Sequence, residues 1–299
     1  MTSATLLPPT FDYVAPSSLS EAIDLLRTHG EGAKIIAGGQ SLIPLLKLRL
    51  AAPTLLVDIG RIPGLEYVRE SDGFLRLGAL TRMADVEASE LLRRKYPIIH
   101  DASTVIADPL VRNLGTVGGD ISHGDPANDL PAVMLALDAE FALTGPSGPR
   151  TVRARDFFLD TFTVALGHED ILVEIRVPLP SPRSGGAYLK VERKINDFAT
   201  AGAAVFLRVD ARGECESVGI GLTAVGPRAI EAVQAEEALR GQKPTDREAV
   251  KRVAKLAAEA SDPTSDIRGT AEYKRDLVRL LVTRAIRLAY GRARKGGAL

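Results

Sequence analysis

Two glycine-rich segments contain the residue types best suited to bind a ligand. We call Ala37-Gly38-Gly39-Gln40-Ser41-Leu42 the first glycine turn and Gly115-Thr116-Val117-Gly118-Gly119-Asp120 the second glycine turn. Each precedes a predicted helix. Glycine lets successive backbone N–H groups converge without a Cβ in the way, and such a nest at a helix N-terminus binds phosphate oxygens. Two such turns in one domain predict a pyrophosphate held from two sides, and therefore a dinucleotide ligand.

The glycine-rich segments also have interpretations other than a pyrophosphate site. Simple tight turns are one alternative, because glycine is the default turn residue. Neither segment has the Gly-x-x-x-x-Gly-Lys-Ser/Thr pattern of a P-loop. The pattern Gly219-x-Gly221-x-x-Ala224 matches a Rossmann fingerprint. However, Gly226-Pro227 would break a helix that opened there, so residues 217–225 are predicted to form a continuous strand.

The elements that would position these turns follow from the hydrophobic pattern. A capping box at Ser18-Leu19-Ser20-Glu21 predicts the start of the first helix. Strands are predicted at residues 34–36, 54–59, 66–68, 74–77, 140–143 and 171–177, and helices at 42–50, 82–94, 97–107 and 130–137. A segment rich in proline and glycine, residues 178–186, predicts a break between two domains. Strands at 187–194, 201–209 and 216–225 and helices at 229–239, 246–260 and 272–289 complete an α+β pattern.

Composition excludes several classes of protein. Lys plus Arg total 38 and Asp plus Glu total 38, so the formal charge is zero and there is no broad attraction for nucleic acid or an anionic membrane. The longest stretch without a charged residue, 35–46, is too short for a membrane span. The N-terminus lacks the pattern of a signal peptide, which predicts a cytoplasmic protein. The single cysteine, Cys215, cannot hold an iron–sulfur cluster alone.

At full length, the two turns resemble the FAD-binding motifs of molybdenum hydroxylase flavoprotein subunits. Residues 37–50 resemble the first motif, and residues 112–120, continued by 125–132, resemble the second. The chain closely resembles medium subunits of aerobic carbon monoxide dehydrogenases and, more distantly, the FAD domain of xanthine dehydrogenase. The resemblance extends over nearly the whole chain, including residues 188–199 and 266–275.

This resemblance implies an α+β fold in two parts. A FAD-binding domain of the vanillyl-alcohol-oxidase type, residues 1–178, would consist of two α/β subdomains at about 1–57 and 58–178. A smaller C-terminal domain, residues 179–299, would contain a three-stranded antiparallel sheet and helices. The cofactor would be FAD. No catalytic residue and no metal ligand is expected. The residues expected to contact FAD are Ala37, Gly38, Gly39, Gln40, Ser41, Leu42, Thr116, Gly118, Gly119, Asp120, Asp125, Asp129, Leu172, Lys190 and Phe198.

The side chains in this set have alternative interpretations. Asp125 and Asp129 would accept hydrogen bonds from ribityl or ribose hydroxyls, or simply cap the helix that follows. Leu172 would border the adenine or belong to the core. Lys190 would lie near the flavin N1–C2 carbonyl edge, or be a solvated strand lysine. Phe198 stands where carbon monoxide dehydrogenase relatives carry a tyrosine.

Two further positions, His123 and Thr200, bear on whether the flavin is attached covalently and whether the chain reduces NAD. His123, after the second glycine turn, suggests covalent flavin attachment, but the resembling family binds FAD non-covalently. Thr200 stands where xanthine dehydrogenase has a lysine, which weakens a specific NAD-reducing assignment.

The resemblance implies an electron-transfer role within a larger enzyme. A large molybdenum-cofactor subunit would oxidise the substrate, and a small subunit with two [2Fe-2S] clusters would pass electrons to the FAD of this chain. An external acceptor would then receive them, in an assembly expected to be a dimer of heterotrimers. The alternatives are a self-sufficient FAD-dependent oxidase of the same fold and a nucleotide-binding regulatory module.

Overall fold

Residues 7–296 are described by the structure, a computed structural model, and three larger sheets organise this part of the chain. The strands are β1 Asp12–Val14, β2 Ala33–Ile36, β3 Leu55–Asp58, β4 Val68–Ser71, β5 Phe74–Gly78, β6 Glu140–Gly145, β7 Gly148–Arg153, β8 Phe158–Asp160, β9 Thr163–Val164, β10 Ile171–Pro178, β11 Ser184–Glu192, β12 Ala199–Val209, β13 Cys215–Thr223 and β14 Ile230–Glu231. The helices are α1 Leu19–His29, α2 Leu42–Lys47, α3 Met83–Ala88, α4 Glu90–Lys95, α5 Pro97–Val105, α6 Pro109–Arg112, α7 Val117–His123, α8 Asp129–Ala136, α9 Ala154–Phe157, α10 Val233–Leu239, α11 Arg247–Ala260 and α12 Ala271–Gly296.

The first sheet is small and parallel, with strand order β1-β3-β2. Helix α1 covers it and buries Ala22 and Leu26 against Leu55 and Val57. The Ser18 side chain accepts a hydrogen bond from the backbone N–H of Glu21 at 3.2 Å, so the predicted N-terminal cap of this helix is confirmed. The sheet therefore holds the end of β2, from which the first glycine turn departs.

The second sheet has the order β4-β5-β10-β6-β7 and lies under the second glycine turn. Its first hairpin turns at Asp72 and Gly73, which both have positive φ (51° and 80°), as the Asp-Gly pair predicts. The predicted helix at 82–94 is two helices, because Ser89 ends α3 and its hydroxyl accepts the Leu92 N–H at the start of α4. Strands β5 and β10 of this sheet contact α7 and support it.

The third sheet is antiparallel, with order β11-β12-β13-β14. Helices α10, α11 and α12 enclose one buried cluster with it, and α5 and α8 pack against it as well. The α+β class and the C-terminal antiparallel sheet with helices are confirmed. The sheet has a fourth, two-residue strand at 230–231, where the sequence predicts the start of a helix that begins instead at Val233.

Strand β13 explains the glycine pattern that resembles a Rossmann fingerprint. A Cβ on Gly219 would lie 2.1 Å from the Ala136 carbonyl oxygen, and a Cβ on Gly221 would lie 1.9 Å from that of Ala132. Both contacts are with α8. The glycines therefore let a helix lie directly on the sheet, and the predicted continuous strand is confirmed.

The largest buried cluster contains residues from both sides of the predicted break. Leu130 and Phe141 belong to the same apolar core as Tyr188 and Ala204. The division of the chain near residue 178 stays a prediction. None of the helices within residues 7–296 combines the length and the apolar character needed to cross a bilayer.

Candidate FAD-binding site

The first glycine turn presents backbone donors at the end of β2. Within the described residues, the N–H groups of residues 38–41 have no protein acceptor. Gly39 has φ +71°, which favours glycine, and a Cβ on Gly38 would lie 2.1 Å from the Leu114 carbonyl oxygen. Gln40 Nε2 donates to the Gly38 carbonyl at 2.9 Å and braces the loop. Residues 38–41 thus form a loop with unpaired N–H donors, which we call the glycine cradle. It lies in close contact with Leu114, the residue before the second glycine turn.

The second glycine turn uses its donors internally. Thr116 is the N-cap of α7. The next four N–H groups all have protein acceptors: Val117 donates to Thr81 O at 2.9 Å, Gly118 to Ala79 O at 2.8 Å, Gly119 to Thr116 Oγ1 at 3.1 Å and Asp120 to Thr116 O at 3.0 Å. A Cβ on Gly118 would lie 2.6 Å from Ala79 Cβ, so this glycine lets α7 pack on the end of β5. The turn therefore offers side chains rather than free backbone donors.

A cavity of about 390 Å³ lies between the two turns. A neighbouring cavity of about 400 Å³ shares Ile35 and Gly119 with it. The predicted site residues that line the first cavity are Ala37, Gly38, Gly39, Gln40, Ser41, Leu42, Thr116, Gly119, Asp120, Asp129, Lys190 and Phe198. Gly118, Gly119 and Leu172 line the second, together with His123. Two neighbouring cavities that share Ile35 and Gly119 in their walls suit an elongated, two-part ligand.

Asp125 is the one predicted site residue that lines neither cavity. Its Oδ1 accepts the Ala127 N–H at 2.8 Å. The residue borders a separate depression of about 400 Å³ that also contains Arg268 and Lys274.

Asp129 and Lys190 belong to one buried polar network. The Tyr188 hydroxyl donates to Asp129 Oδ1, and Lys190 Nζ donates to Asp129 Oδ2 at 3.0 Å. Lys190 Nζ also donates to the carbonyls of Val105 at 2.6 Å and Asp197 at 3.1 Å. Since an ammonium has three donors, all of them are used, and the side chain is only 2% exposed. Lys190 is therefore a buried clamp between three segments rather than a solvated lysine.

The same network shows that Asp129 is not an N-cap. Asn128 holds that position and makes no side-chain capping bond. Burial raises the pKa of the Asp129 carboxyl, and the nearby Lys190 ammonium opposes this rise. A Cβ on Gly202 would lie 2.4 Å from the Tyr188 hydroxyl oxygen, so this glycine leaves the space in which the tyrosine reaches Asp129.

Asp120 has an unsatisfied polar side chain in the cavity wall. Its Oδ2 is buried and has no hydrogen-bond partner within the described residues. Burial, followed by the charges of Asp129 and Asp125, raises the pKa of this carboxyl well above its usual range. The orphaned oxygen is a site where a bound ligand can supply the missing partner.

Phe198 lies on the rim of the first cavity and is 52% exposed. The guanidinium carbon of Arg268 lies 5.9 Å from the centre of its ring, within the range of a cation–π contact. Arg268 Nη2 also donates to Asp197 Oδ1 at 3.0 Å. An exposed aromatic ring is thus fixed beside the cavity by a neighbouring ion pair.

Sequence reasoning missed the wall formed by residues 106–108. Ala107 has φ +46°, an unusual conformation for alanine, and lines the cavity. The Arg112 guanidinium stabilises it by donating to the carbonyls of Ile106 at 3.1 Å and Ala107 at 2.7 Å. Arg112 begins the second motif, but nothing in its local pattern indicates that it holds this loop.

The donor set fits FAD. A glycine cradle with unpaired N–H groups suits a pyrophosphate, and the two neighbouring cavities give room for the two halves of a dinucleotide. In residues 7–296 no group of three or more His, Cys, Asp or Glu side chains is placed to hold a metal ion. His123 lies in the second cavity, where burial lowers its pKa and favours the neutral ring.

Comparison with known proteins places these features in a family. The profile described as "FAD binding domain in molybdopterin dehydrogenase" matches residues 9–180, and "CO dehydrogenase flavoprotein C-terminal domain" matches residues 186–289. The chain belongs to this family of FAD-binding flavoprotein subunits. It is therefore an oxidoreductase subunit whose cofactor is FAD, and the resemblance stated from residues 37–50 and 112–132 is confirmed.

Individual relatives match over nearly their whole length. The chain is 43% identical to the carbon monoxide dehydrogenase medium chain of Hydrogenophaga pseudoflava, over 96% of this chain and 99% of that one. It is 41% identical to the medium chain from Afipia carboxidovorans, over 97% and 100%. The solved structure of the Hydrogenophaga enzyme lacking the molybdenum-pyranopterin moiety superposes with a TM-score of 0.93 at 45% identity, covering 96% of this chain and 99% of that one.

Proposed function

We propose that this chain is the FAD-carrying medium subunit of a molybdenum hydroxylase similar to carbon monoxide dehydrogenase. In this proposal it accepts electrons from the [2Fe-2S] clusters of a small partner subunit and passes them to an external acceptor. Near full-length similarity to two carbon monoxide dehydrogenase medium chains supports this assignment.

The observation that carries the proposal is the glycine cradle in the wall of the first cavity, beside the second cavity that shares Ile35 and Gly119 with it. Bound FAD supplies a centre that exchanges electrons with the rest of the complex. The protein's own contribution would be to bind and orient it. The unpaired N–H groups of residues 38–41 would hold the pyrophosphate, and Leu172 in the second cavity would contact the adenine half. The other half would be bordered by residues of the first cavity, namely Phe198, Asp120, Asp129 and Lys190.

The partners follow from what this chain lacks for the electron transfer. A single cysteine cannot ligate a [2Fe-2S] cluster, so the clusters belong to another subunit. We therefore propose a large molybdenum-cofactor subunit and a small [2Fe-2S] subunit as partners, assembled as a dimer of heterotrimers. The cytoplasmic location stays a prediction.

Purification of the chain with its associated subunits tests the proposal. We expect FAD, molybdenum and iron in the complex, and bleaching of the flavin absorbance when the reducing substrate is added anaerobically. Carbon monoxide is the first substrate to try. Removal of the small subunit should abolish this bleaching while FAD itself stays reducible by dithionite.

Two results would contradict the proposal. Oxygen-coupled turnover of small alcohols by the chain alone would favour a self-sufficient FAD oxidase. Tight binding of a mononucleotide without any binding of FAD would favour a regulatory module.

A further inference from the structure

Both polar groups of the Asp120 backbone have partners inside the protein. Its N–H donates to the Thr116 carbonyl at 3.0 Å, and its own carbonyl accepts from Asn128 Nδ2 at 3.0 Å. Asp120 lines the cavity between the two glycine turns, and its side-chain Oδ2 has no partner among the described residues. What this residue does for a ligand depends on the state of its carboxyl group.

The surroundings of that carboxyl disfavour a negative charge. Oδ2 is buried without a partner among the described residues, and the charges of Asp129 and Asp125 oppose ionisation of the carboxyl. Lys190 is the cation that acts on it, but its three donors are used by Asp129 and two backbone carbonyls. On the same helix His123 is held towards its neutral form by burial.

These surroundings favour the protonated acid. Burial without N–H donors, together with nearby carboxylates, disfavours the ionised form of a carboxyl group. Burial and the charges of Asp129 and Asp125 raise the pKa of Asp120 well above its usual range, while the Lys190 ammonium opposes this rise. A neutral carboxylic acid has one O–H donor, which an ionised one lacks.

We propose that Asp120 binds FAD as a neutral carboxylic acid, donating its O–H to an acceptor oxygen of the cofactor. This rests on the proposed placement of FAD between the two glycine turns. The pyrophosphate brings further negative charge into the cavity, which strengthens the preference for the protonated form by Coulomb repulsion. When FAD enters a chain in which Asp120 is ionised, the carboxylate takes one proton from solvent.

FAD binding and protonation of Asp120 are coupled, so FAD affinity should decrease as pH rises. Because binding raises the pKa of Asp120 further, FAD affinity is constant while the free chain is protonated. It falls as pH rises through the pKa of the free chain, by up to about tenfold per pH unit. The fall levels off once pH exceeds the pKa of the FAD-bound form. Since the free-chain pKa is itself raised, the window lies above the ordinary carboxyl range.

The test is the dissociation constant of FAD for the purified complex, measured by flavin fluorescence from about pH 5 to about pH 9. The wild-type constant should rise with pH. For Asp120→Asn, the FAD dissociation constant should be the same at every pH in this range, because an amide N–H donates at every pH. Asp120→Ala should bind at least about tenfold more weakly at the lowest pH, where the wild type keeps its donor.

Asp108→Asn is the matched control. Asp108 lines the same cavity, but its Oδ1 accepts the Leu110 and Val111 N–H groups and caps α6. Asparagine can make the same cap. This variant should keep the wild-type pH profile. A pH indicator in weakly buffered solution provides the second readout: proton uptake on FAD binding should appear at high pH in the wild type and be absent in Asp120→Asn.

Two results overturn the inference while the proposed function stands. One is tight FAD binding by the wild type with no pH dependence and no proton uptake. The other is a pH profile in Asp120→Asn that equals that of the wild type. Failure of the wild-type complex to bind FAD between the turns at any pH would overturn both the inference and the proposed function.

Discussion

The first glycine turn leaves its backbone donors unpaired, whereas the second uses its donors inside the protein. Residues 38–41 have N–H groups without acceptors in the described part of the chain, but the four N–H groups after Thr116 all have acceptors. Similar sequences therefore provide different chemistry. The first turn can bind an anion through its backbone. The second supports a helix that brings the Asp120 side chain to the same cavity.

The glycines in the two turns are needed for different reasons. Gly38 lets the first turn approach the Leu114 carbonyl, so it fixes the two turns against each other. Gly118 lets α7 approach Ala79 and has no role at the first turn. A shared Gly-Gly pattern thus indicates that another part of the chain packs closely against the glycine backbone. Only the three-dimensional structure shows which part of the chain this is.

The largest expected effect comes from breaking the buried network behind the second turn. Lys190→Met should destabilise the fold by about 3–5 kcal/mol, because it leaves the buried Asp129 carboxylate without its cation. Chemical denaturation measures this loss. Lys194→Met, at an exposed lysine in the loop that follows β11, is the control and should change stability by less than about 0.5 kcal/mol. Equal effects of the two changes would show that the clamp is not stabilising.

Breaking the first turn should chiefly affect the cofactor. Gly38→Ala places a Cβ 2.1 Å from backbone and displaces the cradle. We expect FAD affinity to fall by about 100-fold, or about 2.8 kcal/mol. Equilibrium binding of FAD measures it, with Gly291→Ala as control because that position has open space around it. Unchanged affinity in Gly38→Ala would remove the first turn from the site.

The same change in the second turn should chiefly affect stability. Gly118→Ala overpacks the contact with Ala79 and should cost about 1–3 kcal/mol. Since the Gly118 N–H already bonds to Ala79, FAD affinity of the folded protein should fall by less than about tenfold. Thermal unfolding and FAD titration on one sample separate the two effects. A loss of affinity as large as that in Gly38→Ala would mean that both turns bind alike.

The smallest effect tests the cap of α7. Thr116→Val removes the oxygen that accepts the Gly119 N–H and should destabilise the protein by about 1 kcal/mol. Thr116→Ser keeps that oxygen and should stay within a few tenths of the wild type. Denaturation midpoints measure the difference. If valine and serine variants were equally stable, the hydroxyl would not cap this helix.

Local chemistry made part of this molecule predictable. Adjacent glycines before a helix signal predict the first turn. Gly226-Pro227 would break a helix that opened at Gly221, and this predicts that β13 is a continuous strand. The contacts of Asp129 and Lys190 were not predictable, because Tyr188, Val105 and Asp197 reach them from distant parts of the sequence. The pairing of each N–H group in the second turn likewise depends on a neighbouring strand that local spacing does not reveal.

The shared core across residue 178 has a consequence for how the molecule comes apart. Gly219 and Gly221 let β13 lie directly on α8, and Tyr188 bonds to Asp129, so the largest apolar core is incomplete in either half alone. Heating should therefore melt both halves in one cooperative transition and release the flavin in the same step. A chimera that takes only its C-terminal half from a relative would also need α8 from that relative, because Gly219 and Gly221 pack directly against this helix.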